Sequence, residues 1–187
     1  AKSMRRNERF KLRDFSRVPS ALNRPIRVGF SASKNDNFTV MTTKDKTTAQ
    51  TKGYALGTII GYAYSKQAMG TLPLKLYYSA KFKDYASVST VISAKLLKGQ
   101  GYYAVEGKST YQGYILADDP KRFGWVPLKL YWHSAKNDYV TATAAAVKGS
   151  KFKGYKTLET QGWIFNGAKL ITYLKAMKRP LMLKKKK

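Results

Sequence analysis

Acid–base and nucleophilic chemistry ask for His, Cys, or carboxylates held close enough to hold different proton affinities. This chain has one His (His133), ten Asp and Glu, and no Cys. Three aspartates recur by position, each eleven residues after a proline: Asp36 after Pro25, Asp84 after Pro73 and Asp138 after Pro127. Each follows a short, Lys-containing turn, where an Asp commonly bonds nearby backbone to close the turn. Placement on three separate units is expected to keep them far apart, so no acid–base pair is predicted. Zinc would need a Cys/His set that is missing. No Gly-rich loop with Lys-Ser or Lys-Thr stands between a strand and a helix. The expectation is a chain without catalytic residues, without a metal and without a cofactor.

Cations are the stronger signal. Thirty-six Lys and Arg against ten acids leave +26, far more than solubility requires. Self-repulsion on that scale calls for an anionic partner, and nucleic acid is the commonest, because phosphate contacts release condensed counterions. The excess is uneven. Residues 1–24 hold eight basic and two acidic residues, and residues 175–187 hold seven basic and none acidic, so these flanks carry +13 of the +26. The expected polyanion contacts are Arg5, Arg6, Arg9, Lys11, Arg13 and Arg17 in the N-terminal arm, interleaved with Phe10, Leu12 and Phe15. In the C-terminal tail they are Lys178, Arg179 and the run Lys184, Lys185, Lys186, Lys187. Guanidinium forks bond phosphate and stack on rings. No base-reading module is recognisable, so binding is expected to ignore nucleotide sequence.

The elements that carry these residues come in triplicate. Pro25-Ile26-Arg27-Val28-Gly29-Phe30, Pro73-Leu74-Lys75-Leu76-Tyr77-Tyr78 and Pro127-Leu128-Lys129-Leu130-Tyr131-Trp132 open the copies. A Gly-Tyr pair follows 28, 28 and 27 positions after each proline: Gly53-Tyr54, Gly101-Tyr102 and Gly154-Tyr155. Gly61-Tyr62, Gly113-Tyr114 and Gly162-Trp163 close them. The copies span about 25–66, 73–117 and 127–167. Each reads as four short strands; in the second these are 74–79, 84–90, 102–106 and 114–116, with the loop 107–110 before the last. Residues 91–98 are apolar at helical spacing and predict a short helical turn, with 144–148 as an Ala-rich counterpart. Twelve strands in three units predict an all-β chain, a β-trefoil over residues 25–174 flanked by an N-terminal arm (1–24) and a C-terminal tail (175–187).

The pattern Pro-Leu-x-Leu-Tyr, Asp-Tyr, Gly-Tyr, Glu-Gly and Gly-Tyr resembles the trefoil repeats attached to many secreted microbial hydrolases. It departs where that family has His after the Asp, for Asn37, Tyr85 and Tyr139 stand there. Gln161-Gly162-Trp163, and in part Gln112-Gly113-Tyr114, resemble the Gln-x-Trp ending of ricin-type trefoil lectins, whereas Ile60-Gly61-Tyr62 does not. These resemblances imply the fold and, as an alternative function, a carbohydrate-binding module. Its ligand contacts would be Asp36, Asp84 and Asp138 with the rings Tyr78 and Trp132, Phe30 being their counterpart. The rings of the Gly-aromatic pairs are expected to pack inside.

No apolar run approaches the roughly 18 residues of a membrane span. The first residues lack an apolar stretch behind their basic ones, so no secretory signal is expected, and an intracellular or particle-packaged protein is. The primary expectation is a non-enzymatic structural protein that binds nucleic acid or another polyanion without sequence preference, inside a large assembly such as a virion, capsid or ribosome-like particle. Neighbouring subunits of that assembly would be its other partners. A further alternative is a capsid or envelope cementing protein that grips acidic protein surfaces.

Overall fold

The computed structural model describes residues 22–105 and 111–166. The cations expected to bind polyanions in the two arms lie outside the described residues, as does the loop 107–110. Within them the chain is mostly β-sheet. The first unit runs β1 (Arg24–Ser31), β2 (Asp36–Val40), α1 (Thr43–Thr51) and β3 (Ala55–Ala63). The second runs β4 (Thr71–Ser79), β5 (Asp84–Val88), α2 (Val91–Gly99), β6 (Tyr103–Ala104) and β7 (Tyr111–Leu116). The third runs β8 (Trp125–His133), β9 (Asp138–Ala142), two 3-10 turns (Ala146–Lys148 and Ser150–Phe152) and β10 (Lys156–Phe165).

Four separate strands appear only in the second unit. In the first and third, the expected third and fourth strands run together as β3 and β10, with register shifts where they join. The helical turn expected at 91–98 is α2, and the first unit has an equivalent, α1, which its weakly amphipathic sequence did not announce. Both helices start on a Thr: Thr42 accepts from the Asp45 amide, and Thr90 from the Ser93 amide. In the third unit Thr143 caps only 3-10 turns. Gly149 there is extended (φ −73°, ψ 158°) and interrupts the segment before a full helix can form.

The opening strand of each unit lies between its two partners. β1 pairs with β2 and β3, β4 with β5 and β7, and β8 with β9 and β10, all antiparallel. Each opening proline faces the closing ring, Pro25 against Tyr62, Pro73 against Tyr114 and Pro127 against Trp163. The next residue (Ile26, Leu74 or Leu128) faces the closing glycine.

Those glycines are where the units meet. A Cβ on Gly61 would fall 3.0 Å from the carbonyl oxygen of Phe165, and one on Gly113 3.1 Å from that of Tyr64. On Gly162 it would run into the carbonyl oxygen of Leu116. Each closing strand thus touches the backbone of a different unit, a close approach that only glycine leaves open. Ile26, Leu74 and Leu128 are wholly buried beside Ile115, Ile164 and Ala63 in a shared core. Full burial of each of these larger side chains is worth roughly 1.5–3 kcal/mol.

Three outer clusters repeat this interlocking. The first unit's Phe38, Val40, Ala49 and Tyr54 enclose Leu76 of the second. The second unit's Ala86, Val88, Leu97 and Tyr102 enclose Leu130 of the third. The third unit's Val140, Ala142 and Phe152 enclose Val28 of the first. The cycle closes on itself. Among the described residues no helix is long and apolar enough to cross a membrane.

Candidate functional site

The strands β2, β5 and β9 begin with the recurrent aspartates and pack against one another. Each follows a hairpin turn whose last residue has a left-handed backbone: Asn35 (φ 51°), Lys83 (φ 57°) and Asn137 (φ 51°). The turn therefore aims the next residue, the aspartate, inward. One oxygen from each of Asp36, Asp84 and Asp138 lies within 4.8 Å of the others. The expectation that these residues are far apart is corrected here. The strands that these residues open pack against one another, and that packing brings the three side chains together.

All three are buried, with 7%, 2% and 3% of their surface exposed. Each receives a hydrogen bond from the tyrosine of its own unit's first Gly-Tyr pair. Tyr102 Oη donates to Asp84 Oδ2 at 2.6 Å, and Tyr54 and Tyr155 do the same to Asp36 and Asp138. The Asn37 amide N–H donates to Asp36 Oδ1 at 2.7 Å, the Tyr139 N–H to Asp84 Oδ2 at 3.1 Å, and Asn37 Nδ2 to Asp138 Oδ2 at 3.1 Å. Left without a partner in this buried space are Asp84 Oδ1, Asp138 Oδ1 and Asn37 Oδ1. No Lys or Arg among the described residues forms an ion pair with the cluster; the ion pair found there is Lys121–Asp119, on the surface.

Burial is the first cause of raised proton affinity in all three carboxyls. Asp138 is pushed up to about 7, with hydrogen bonds from Tyr155 and Asn37 opposing the rise and the Asp36 charge adding to it. Asp84 is raised well above the ordinary value by burial and then by the charges of Asp138 and Asp36. Asp36 is raised too, by burial, with the bonds from Tyr54 and Asn37 opposing the rise. Burial, with the neighbouring carboxylates, also raises the three tyrosines, so they remain protonated donors. One step along the strands, Thr39 Oγ1 donates to the Thr141 carbonyl at 2.9 Å and Thr141 Oγ1 to that of Ser87.

Above the cluster a cleft of about 460 Å³ reaches Asp36 and Tyr54 and is rimmed by Lys34, Lys52, Lys83 and Tyr78. Lys52 Nζ donates to Tyr85 Oη at 2.7 Å and sits 5.2 and 4.9 Å from the ring centres of Tyr78 and Tyr85. Beside it a groove of about 420 Å³ is walled by Phe38, Tyr78, Tyr85 and Tyr103, with Lys44 on its edge. Tyr85 stacks between Phe38 and Tyr78, 4.5 Å from each, and Tyr103 meets Tyr78 edge-on with half its surface exposed.

Tyr78 is thus half-buried at the margin of a cleft, stacked on its cross-strand partner Tyr85; Trp132 has the equivalent place, 4.4 Å from Tyr139. The buried aspartates are bonded to tyrosines, which withdraws Asp84 and Asp138 from any surface shared with those rings. Tyr54 and Tyr102 are buried, whereas Tyr155, Tyr62, Tyr114 and Trp163 are half-exposed. His133 packs edge-on to Tyr155, its Nδ1 without a partner.

The Gln of each Gln-Gly-aromatic ending reaches the start of a helix that lies earlier in the chain. Gln112 Nε2 donates to Asp45 Oδ2 in the cap of α1 at 3.0 Å, and Gln161 Nε2 to Ser93 Oγ in the first turn of α2 at 2.9 Å. The third member, Ile60, packs against the same apolar cluster as Ala146, which stands three residues after Thr143 as Asp45 and Ser93 stand after Thr42 and Thr90. Polar meets polar and apolar meets apolar, each time across units. Comparison with known proteins finds no matching family model, curated protein or solved structure.

Proposed function

We propose that the chain is a non-enzymatic structural protein, a trefoil-like body of three internal repeats with basic arms, that binds nucleic acid or another polyanion without sequence preference inside a large assembly. The observation that carries this reading is the segregation of charge. Of the seven acidic residues in the described part, Asp36, Asp45, Asp84 and Asp138 are buried, whereas none of its twenty Lys and Arg is. The surface is therefore more cationic than the formal count suggests, because carboxylates that would offset the lysines are turned inward. Lysines beside stacked tyrosines, as at Lys52, suit a chain of phosphates carrying flat bases. Two carboxyls of the central cluster have no substrate-sized access, which favours a binding role over catalysis. A virion, a capsid or another intracellular particle is the setting this reading fits.

Fluorescence-polarisation binding to unrelated duplex DNA, single-stranded DNA and RNA tests the proposal. Comparable affinities for all three support it. Binding confined to one neutral glycan or one acidic protein would replace it with the carbohydrate-binding or the cementing alternative.

A further inference from the structure

Three carboxyl groups packed together, with no ion pair to a Lys or Arg among the described residues, need something to offset their charge. We propose that Asp36, Asp84 and Asp138 form the binding site of a hard divalent cation of the calcium class at the centre of the fold. The site stands independently of polyanion binding, which concerns the outer surface.

The geometry fits such an ion. Three oxygens no more than 4.8 Å apart enclose a point at most about 2.8 Å from each by plane geometry, close to the roughly 2.3–2.6 Å of calcium–oxygen bonds. The donors are all oxygens, as hard cations require, and His or Cys ligands that would favour zinc or softer ions are missing from the cluster.

A second observation points to a ligand there. Asp84 Oδ1 and Asp138 Oδ1 are buried on residues 2% and 3% exposed, and neither has a hydrogen-bond partner. Orphaned acceptors of this kind lose their hydration without recompense, the more so when charged. Both donate readily to a metal while their other oxygens stay held by Tyr102, Tyr155 and Asn37. That is the arrangement in which outer hydrogen bonds fix ligand oxygens for an ion. Asn37 adds a third unpartnered oxygen, on a wholly buried side chain bonded to Asp138. The other two units have Tyr85 and Tyr139 at its position, so the neighbourhood is richer in oxygen on one side. The cleft that reaches Asp36 supplies an entrance and room for water to complete the coordination.

The tyrosines make the site directly readable, because Tb³⁺ bound beside them would be excited through their rings. The full chain, treated with EDTA and freed of it, is titrated with TbCl₃ under tyrosine excitation at neutral pH, then with CaCl₂ as competitor. The expected result is saturable Tb³⁺ emission that Ca²⁺ displaces and that Asp84→Asn and Asp138→Asn each remove. Thermal melting supplies a second readout: Ca²⁺ at about a hundred times its Kd should raise the Tm of the unaltered chain by about 5–10 °C. The same Ca²⁺ should leave both Asn variants unmoved, while those variants melt higher than the unaltered chain in EDTA because a repelling charge is gone. Emission equal in the variants and the unaltered chain, or a melting temperature indifferent to Ca²⁺ at pH 7.5, overturns the proposal and leaves shared protons as what neutralises the cluster.

Discussion

Tyr102 donates its phenolic hydrogen to Asp84 across 2.6 Å, inside a space where Asp84 retains 2% of its surface and Tyr102 the same. The two residues are eighteen apart in sequence, and Tyr54–Asp36 and Tyr155–Asp138 repeat the pairing. Each unit therefore brings its own donor to a carboxyl that meets the other two at the centre.

Tyr102→Phe removes the hydroxyl and leaves the ring in place. A buried carboxyl stripped of its donor should cost about 1–3 kcal/mol, read as a lower midpoint in urea with an unchanged slope. Tyr103→Phe, on an exposed ring of the same strand segment, serves as the control and should lie within about 0.5 kcal/mol of the unaltered chain.

Stability should fall as pH rises, opposite to the usual behaviour of aspartate-rich cores. A carboxyl whose folded pKa exceeds its unfolded one binds more protons when folded, so it favours folding in acid and loses that advantage on titration. For Asp138 the window runs from the ordinary aspartate value of 3.8 up to about 7, and the upward shifts of Asp84 and Asp36 act in the same direction. Each proton so retained changes the unfolding free energy by about 1.4 kcal/mol per pH unit inside the window. Chemical denaturation in EDTA at pH 5, 6, 7 and 8 measures it; Asp138→Asn should flatten the profile.

The cross-unit glutamines should couple to the helix caps they reach. Gln161→Ile leaves the Ser89 amide, which donates to Gln161 Oε1 at 2.9 Å, without that partner and Ser93 Oγ with its bond to Glu159 but no donor, and should cost about 2 kcal/mol. Adding Ser93→Ala gives these two positions the residue types found at Ile60 and Ala146, which share one apolar cluster, and should recover part of that loss. A double-mutant cycle gives the coupling; additive losses would mean the residues act separately.

Lys83 holds the left-handed turn position that Asn35 and Asn137 fill in the other units. Lys83→Asn should stabilise the fold by about 0.5–1 kcal/mol, since Asn tolerates that conformation better. It also removes a cation from the rim of the cleft, so binding of polyanion should weaken as folding improves.

The chain's landmarks announce a good deal of this. The prolines and the alternating residues behind them mark β1, β4 and β8, and the apolar spacing of 91–98 marks α2. What they hide is direction. Asp36 and Tyr54 are both conspicuous by their recurrence, yet a linear spacing of eighteen says nothing about whether they face outward, as turn residues commonly do, or inward. Only the left-handed residue before each aspartate turns it to the centre, and Lys83 at that place disguises the signal that Asn35 and Asn137 give. The closing glycines recur by position, but the backbones they approach lie far off in sequence, at Phe165, Tyr64 and Leu116. α1 gives no such signal, because Thr43-Lys44-Asp45-Lys46-Thr47 has little apolar character, and its cap, not its face, secures it.

The central claim is that unbalanced surface cations seek a polyanion, and salt dependence of binding tests it most directly. For contacts to roughly 6–10 phosphates, affinity for an arbitrary DNA or RNA should drop about 10³–10⁵-fold between about 50 and 200 mM salt, along a straight line of log affinity against log salt. Removing residues 1–21, which stops short of the buried Leu22 and of β1, should reduce the slope. A flat line, or no binding to any nucleic acid or other polyanion at low salt, would contradict the account.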